Sequence, residues 1–319
     1  MESILKCKTN PNKSKQPKLL KKIIKYKLVY FLILPSVICY IIFAYLPMAG
    51  VLMAFKDYQV GRGFKGIFTS PSVGFEHFQR LFKSYYFFSI LRNTILISFY
   101  KIIFCFPAPI IFAILLNELR ITYFKRFVQT VTYLPHFLST VVVTGLVLAM
   151  LSPSYGLVNA VLGTMGLEPV HFLANSRYFR SIIVAIDVWK GTGWSAVIYL
   201  AAISSIDPQL YESATIDGAG KFRQIWSITL PSLLDLIILL LILRIGDILN
   251  AGFEQIFLLY SPPVYSVGDI IDTFVYREGL VNSNYGFSTA VGLFKSVVGL
   301  VLIVGSNKLA NRFGKQGIW

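Results

Sequence analysis

Residues 211–249 read "YESATIDGAGKFRQIWSITLPSLLDLIILLLILRIGDIL". A polar island with Glu212, Asp217, Gly218 and Gly220 gives way at Pro231 to an apolar run over 232–249. A helix needs about 20 apolar residues to cross a hydrocarbon core roughly 30 Å thick. The run therefore reads as a membrane span and the island as a polar connector between spans. The remaining sequence agrees. It is 55% hydrophobic and only 14% charged over 319 residues, against about one quarter charged for a soluble domain. Further apolar stretches fall at 28–55, 94–116, 137–151, 181–204 and 286–306. Pro107 and Pro109 interrupt the second, which is tolerated where neighbouring helices satisfy the freed backbone groups. The expected fold is all-α and integral to the membrane, with about six transmembrane helices.

The net charge of +15 would suit a nucleic-acid binder, but its placement follows membrane topology instead. With the N-terminus inside, 17 cations fall on the inner side and 9 on the outer, the bias of the positive-inside rule. Both termini are accordingly expected in the cytoplasm, with lysines near anionic lipid and no nucleic-acid partner. Residues 1–27 read as a disordered basic leader, 28–306 as the membrane domain and 307–319 as a cytoplasmic tail. The first apolar stretch is too long for a signal-peptide core and has no small-x-small cleavage site after it. Cys7, Cys39 and Cys105 match no metal or redox spacing and are expected to be structural. His77, His136 and His171 are scattered, so neither a catalytic set nor a metal site is predicted. The outer loop 56–89 is expected to be partly folded. The outer loops 152–180 and 251–285 carry the turn signals "SPSYG" and "SPPVYS".

Within the island, Asp207 before Pro208 is a helix start, because the carboxylate caps free N–H groups and proline suits the first helical position. Residues 207–216 should form a short helix. The Gly218-Ala219-Gly220 turn permits conformations closed to bulkier residues, and "KFRQIW" should start a second short helix, with Pro231 at the entry to the fifth span. The acids Asp207, Glu212 and Asp217 sit where cations would be expected. A carboxylate-bearing knob of this kind suits docking into a groove on another protein, or an amphipathic connector lying at the membrane surface.

The pattern "ESATIDGA" followed by "ITLP" at 228–231 resembles the EAA loop of ABC importer permeases. Ser213 and Asp235 depart from that pattern, the first by a small-for-small exchange. "YLPHFLSTVV", "LLNEL" and "IYLAAISSIDPQLYESATIDGA" resemble the carbohydrate-uptake permeases, which include the membrane subunits of the maltose transporter. The C-terminal run "GFEQIFLLYSPPVYSVGDIIDTFVYREGL" is similar to the subgroup for complex oligosaccharides, including rhamnogalacturonan permeases of Bacillus type. The resemblance covers about residues 28–319 and implies a MetI-like core with a coupling loop at 205–231. It assigns ATPase coupling to Glu212, Ser213, Ala214, Asp217, Gly218, Ala219, Ile228, Leu230 and Pro231. It also implies the partners: a second, homologous permease, two ATP-binding subunits and an extracellular solute-binding lipoprotein.

No G-x-x-x-x-G-K-[ST] phosphate loop occurs, so ATP and magnesium are expected on a partner chain, with no cofactor in this one. Ionisable groups inside spans are costly unless they face water or a partner, which singles out Lys101, Asp187, Lys190, Arg244, Asp247 and Lys295. Asp187 and Lys190 are three apart and are expected to pair on one helix face. Sugars are bound by aromatic faces together with carboxylates, amides and cations. The substrate candidates are therefore Trp189, Trp194, Tyr199, Asp187, Lys190, Arg244, Asp247, Asn250 and Glu254. The expected function is a permease subunit of an ATP-driven importer moving an oligosaccharide, with a uronate-bearing one favoured if Lys190 and Arg244 face the cavity. The alternatives are an importer permease for another solute class or an ion-gradient transporter relaying through Asp187, Lys190 and Asp247. A glycan-processing enzyme lacks the carboxylate pair it would need.

Overall fold

The computed structural model describes residues 25–312. The leader through Ile24 with Cys7, and the last seven residues with Lys315, lie outside the described residues. Two compact units divide at Val51. The first holds α1 as far as Val51; the span as a whole runs over Lys27–Phe55. Pro35 lies inside it, and its turns widen into a π-helix at Ile41–Tyr45. None of its side chains through Met48 is buried, as suits apolar side chains that face lipid or a partner helix.

The second unit is a helical bundle. Its elements are α2 (Glu76–Lys83), α3 (Tyr85–Glu118), the bent pair α4 (Thr122–Phe137) and α5 (Thr140–Met150), and α6 (Ser176–Ser204). They continue with α7 (Pro208–Ile216), α8 (Lys221–Gly246), α9 (Phe253–Leu259), α10 (Ile271–Tyr276) and α11 (Tyr285–Arg312). Among the described residues, five helices are long and apolar enough to cross a membrane, or six with the bent pair as one span. The all-helical expectation of about six spans holds, with three revisions. The second span begins at Tyr85, so Arg92 is helical; Arg177 and Arg180 lie in the first turns of α6, so three of the predicted outer cations are not in loops. Stretch 137–151 is only the second limb of a helix pair bent by 102°. Pro135 closes α4 in a 3-10 turn and Ser139, extended, caps α5 by accepting from Val142 N–H. Finally, α11 continues past Ser306 to Arg312, with Asn307 buried.

The segment 56–84, predicted to be an outer loop, is folded, as expected. It carries short helices, a single Lys56–Ser72 bridge and a Phe55–Phe75–Phe78 cluster. Residues 253–284 form short helices rather than an open loop, and a polar network attaches them to the bundle. Arg277 donates to both carboxylate oxygens of buried Asp269, at 3.3 and 2.7 Å, between the rings of Tyr86, Tyr265 and Phe274. Burial disfavours the Arg277 cation, but the hydrogen bonds and charge of Asp269 outweigh it and raise its pKa above the ordinary value. Asn93 on α3 donates to the carbonyls of Ser266 and Asp269 and accepts from Arg180 on α6 at 2.7 Å. Removing one member of a buried ion pair leaves the other charge uncompensated. Asp269→Asn should therefore lower stability by about 3 kcal/mol, read as a fall in the thermal midpoint of the purified protein.

Candidate functional site

The helices α3, α6 and α8 line an open cavity of about 870 Å³. Its position follows from a break in α3: the helix ends at Cys105 and restarts at Pro107, because proline cannot donate to the preceding turn. Beyond that break α3 packs tightly on α6 and α8 through Ile110, Ala113, Tyr199, Ile203 and Leu233. Beside it, Cys105, Phe106 and Pro109 line the cavity. A second cavity of about 340 Å³ adjoins the first, sharing Asp187, Lys190, Arg244 and Asp247 as common walls.

Most predicted substrate residues converge here. Trp194 and Tyr199 line the larger cavity, and Asn250 and Glu254 the smaller. Trp189 does not. At 100° per residue, Asp187, Lys190, Gly191, Trp194 and Ile198 share one stripe of α6, and Trp189 points to the other side, half exposed. Trp194 is held by His136, whose ring stacks on it at 4.8 Å and 6° between planes, and by Phe137 edge-on at 5.5 Å. Gly193, one residue earlier, lets α6 approach the backbone of α4 at Thr132.

The predicted Asp187–Lys190 pair is absent. Asp187 accepts from Lys101 of α3 at 2.5 Å, and Lys190 donates to the Thr140 hydroxyl on α5 at 3.1 Å. The facing helix competes successfully because Lys101 is almost fully buried, at 4% exposure, and would otherwise be an uncompensated charge. Among the described residues, no carboxylate lies within ion-pair distance of Lys190 or Arg244. Lys101, Thr140 and Gln255 also belong to the walls. Charge inside an apolar span marked Lys101 in the sequence, and Gln255 stands among the polar residues at the exit of the fifth span, whereas nothing in the sequence marked Thr140.

At one end of the bundle the 205–231 connector forms the predicted knob. Asp207 accepts the Gln209 N–H at 3.0 Å and Pro208 opens α7. Gly218 takes φ +76°, and Ala219 N–H returns to Ala214 O at 2.8 Å, closing the helix end. Gln224, buried, donates to Thr215 Oγ1 at 2.9 Å and Ala219 O at 3.1 Å, while Tyr211 and Thr229 share a hydrogen bond of 2.9 Å. Glu212, Ser213 and Asp217 are exposed, as is Ile216 at 87%, and Ala214 and Ala219 are half-buried beneath them. Ile228, Leu230 and Pro231 are not part of the knob surface. "KFRQIW" is not a separate helix: α8 runs from Lys221 through Pro231, with a π-helical stretch at Ile225–Thr229 just before the proline. The widened turn absorbs the proline's missing donor and its ring.

A polytopic helical bundle with a cavity between its spans that carries charged side chains in its walls, and an acidic, glycine-turned knob at one end, is the architecture of a membrane transport subunit. Residues 105–315 match the family described as binding-protein-dependent transport system inner membrane component, and the chain belongs to that family. It is 46% identical over 307 residues to the polygalacturonan/rhamnogalacturonan transport system permease protein YteP of Bacillus subtilis, covering 96% of this chain and 95% of that one. It is 45% identical to protein LplB of the same organism, over 92% and 91% of the two chains. A solved bacterial alginate ABC transporter, crystallised with an alginate pentasaccharide-bound periplasmic protein, superposes with a TM-score of 0.86. The identity there is 42%, over 95% of this chain and 100% of that one. The protein is a multi-pass membrane permease subunit of a binding-protein-dependent ABC importer.

Proposed function

We propose that this permease passes an acidic, uronate-bearing oligosaccharide through the cavity between α3, α6 and α8. The observation that carries the reading is that Lys190 of α6 and Arg244 of α8 both line this cavity, neither in an ion pair among the described residues, beside the exposed ring of Trp194. A sugar carboxylate gains charge-assisted hydrogen bonds from such cations, while an aromatic face receives the apolar side of the ring. Asp247, Asn250 and Glu254 supply acceptors for hydroxyls. The relatives that transport polygalacturonan and alginate support an acidic cargo.

The exposed knob is the handle for the energy source. Glu212, Ser213, Asp217 and Gly218 present its surface, with Ala214 and Ala219 partly exposed, and Ile228, Leu230 and Pro231 continue it into the body of α8. Two ATP-binding subunits hold ATP and magnesium and grip this knob and its counterpart on a second, homologous permease. Their closure rocks the bundle between two states that differ in affinity for cargo. An extracellular solute-binding lipoprotein delivers cargo to the face formed by residues 56–84 and 253–284, and both termini lie in the cytoplasm.

Uptake of labelled acidic and neutral oligomers tests the cargo reading. A hydrogen bond to a charged group contributes about 1.5–3 kcal/mol, so Arg244→Gln should lower acidic uptake by roughly 10- to 100-fold. Neutral uptake should fall much less. Equal uptake of acidic and neutral oligomers, unchanged by Arg244→Gln, would refute it.

A further inference from the structure

Lys101 is almost wholly withdrawn from solvent, yet three elements meet on its ammonium. It projects from α3, pairs with Asp187 of α6 at 2.5 Å and donates to the carbonyl of Ala251 at 2.6 Å. The turn that follows α8 is shaped around it. Gly252 takes φ +92°, and a Cβ there would lie 2.8 Å from Nζ. Asp187 by contrast is 27% exposed and forms part of both cavity walls.

We propose that Lys101 is a specificity-determining residue: by holding Asp187 in an ion pair it cancels that charge at the cavity wall and keeps Lys190 available to cargo. Asp187 and Lys190 stand three apart on one helix, a spacing at which opposite charges meet. Lys190 nevertheless donates to Thr140, because Asp187 is turned toward α3. With Asp187 neutralised, the larger cavity is left with Lys190 and Arg244 against Asp247 alone, an excess of positive charge. Without Lys101, Asp187 would recover both its charge and its helical neighbour, and the excess would vanish. A merely structural pair could be replaced by an uncharged pair of similar shape with little consequence for either sign of ligand. A charge-setting pair instead predicts opposite effects of its two single replacements.

The cavity potential can be read without any cargo. A Ser195→Cys reporter on the cavity wall, with Cys7, Cys39 and Cys105 replaced by serine, is treated in the membrane-embedded full chain with an anionic sulfonate and a cationic trimethylammonium thiosulfonate. The ratio of the two modification rates reports the local field. Asp187 and Ser195 stand eight residues apart on α6, about 12 Å of helix rise, and removing a unit charge at that range moves the two rates in opposite senses, so Lys101→Met should lower the anionic-to-cationic ratio by about tenfold. Asp187→Asn should raise it, and Lys101→Met with Asp187→Asn should return it near the parent value. If Lys101→Met does not reach the membrane, the Asp187→Asn and double-variant arms still decide. An unchanged ratio in Asp187→Asn, or a double variant that remains as low as Lys101→Met, overturns the proposal. The cargo reading above gives this charge its purpose, but the ratio does not depend on it. A cavity whose potential responds as stated while acidic uptake is indifferent to Arg244→Gln would sink the cargo reading and leave this one standing.

Discussion

Gly218→Val should abolish concentrative uptake while leaving the chain inserted in the membrane. Gly218 holds φ +76°, and no atom lies near the position an added Cβ would take, so the penalty is conformational and not steric. A left-handed β-branched residue costs about 1–2 kcal/mol, too little to unfold the bundle but enough to redirect the turn. The turn positions Asp217, closes α7 through Ala219 and places the Ala219 carbonyl on Gln224. Redirecting it moves the exposed acidic surface relative to α8. Glu212→Lys should have the same outcome by another route, since in the proposed docked state it reverses one charge of a desolvated pair, which costs about 2–5 kcal/mol or more. That corresponds to a loss of ATPase association of at least roughly 30-fold. Membrane content by immunoblot, uptake of labelled cargo and co-purification of the ATP-hydrolysing subunit are the three measurements. Wild-type uptake in either variant would refute the docking role.

Gly193→Val should be the most destructive change within the bundle. A Cβ on Gly193 would lie 2.2 Å from the carbonyl oxygen and 2.6 Å from the carbonyl carbon of Thr132. Both are backbone atoms of α4 and cannot rotate aside, so α4 and α6 must separate. Overpacking of this kind costs about 3 kcal/mol or more. It would also pull His136 and Phe137 away from Trp194, opening the aromatic wall of the cavity. The expected result is a chain recovered in little folded form, judged by monodispersity in detergent. Gly191→Ala is the control: nothing lies within 4 Å of the place its methyl would occupy, and it should be recovered normally. Equal recovery of both variants would show that the α4–α6 contact is dispensable.

The readings that succeeded rest on local chemistry. Asp207 and Pro208 start a helix, and Gly218 turns the chain left-handed, because those residues carry the cap, the preset φ and the missing Cβ in themselves. Spans are legible for a similar reason, since lipid excludes unsatisfied polar groups. The errors at 211–231 and 137–151 are also instructive. Pro231 reads as a helix boundary because it lacks a donor, yet a π-helical widening accommodates it within α8. The stretch 137–151 reads as a span of its own, yet it is one limb of a pair bent by 102° just after Pro135. Whether a proline kinks, breaks or is absorbed depends on the neighbours that satisfy the freed carbonyl.

Trp189 could have been excluded beforehand, since helical periodicity alone places it opposite Asp187 and Trp194. The Asp187–Lys190 pairing could not. Spacing on one helix makes that pair available, but its formation depends on a competitor from α3, some 86 positions earlier in the chain. From its residues alone this protein was determined to be a helical membrane chain with an acidic, glycine-turned connector and charges inside its spans. Only the tertiary structure decided which of those charges cancel and which face the cavity. The reason is physical: span length, caps and turns are satisfied within a few residues, whereas the low dielectric between helices makes each buried charge take whichever partner the packing brings within reach.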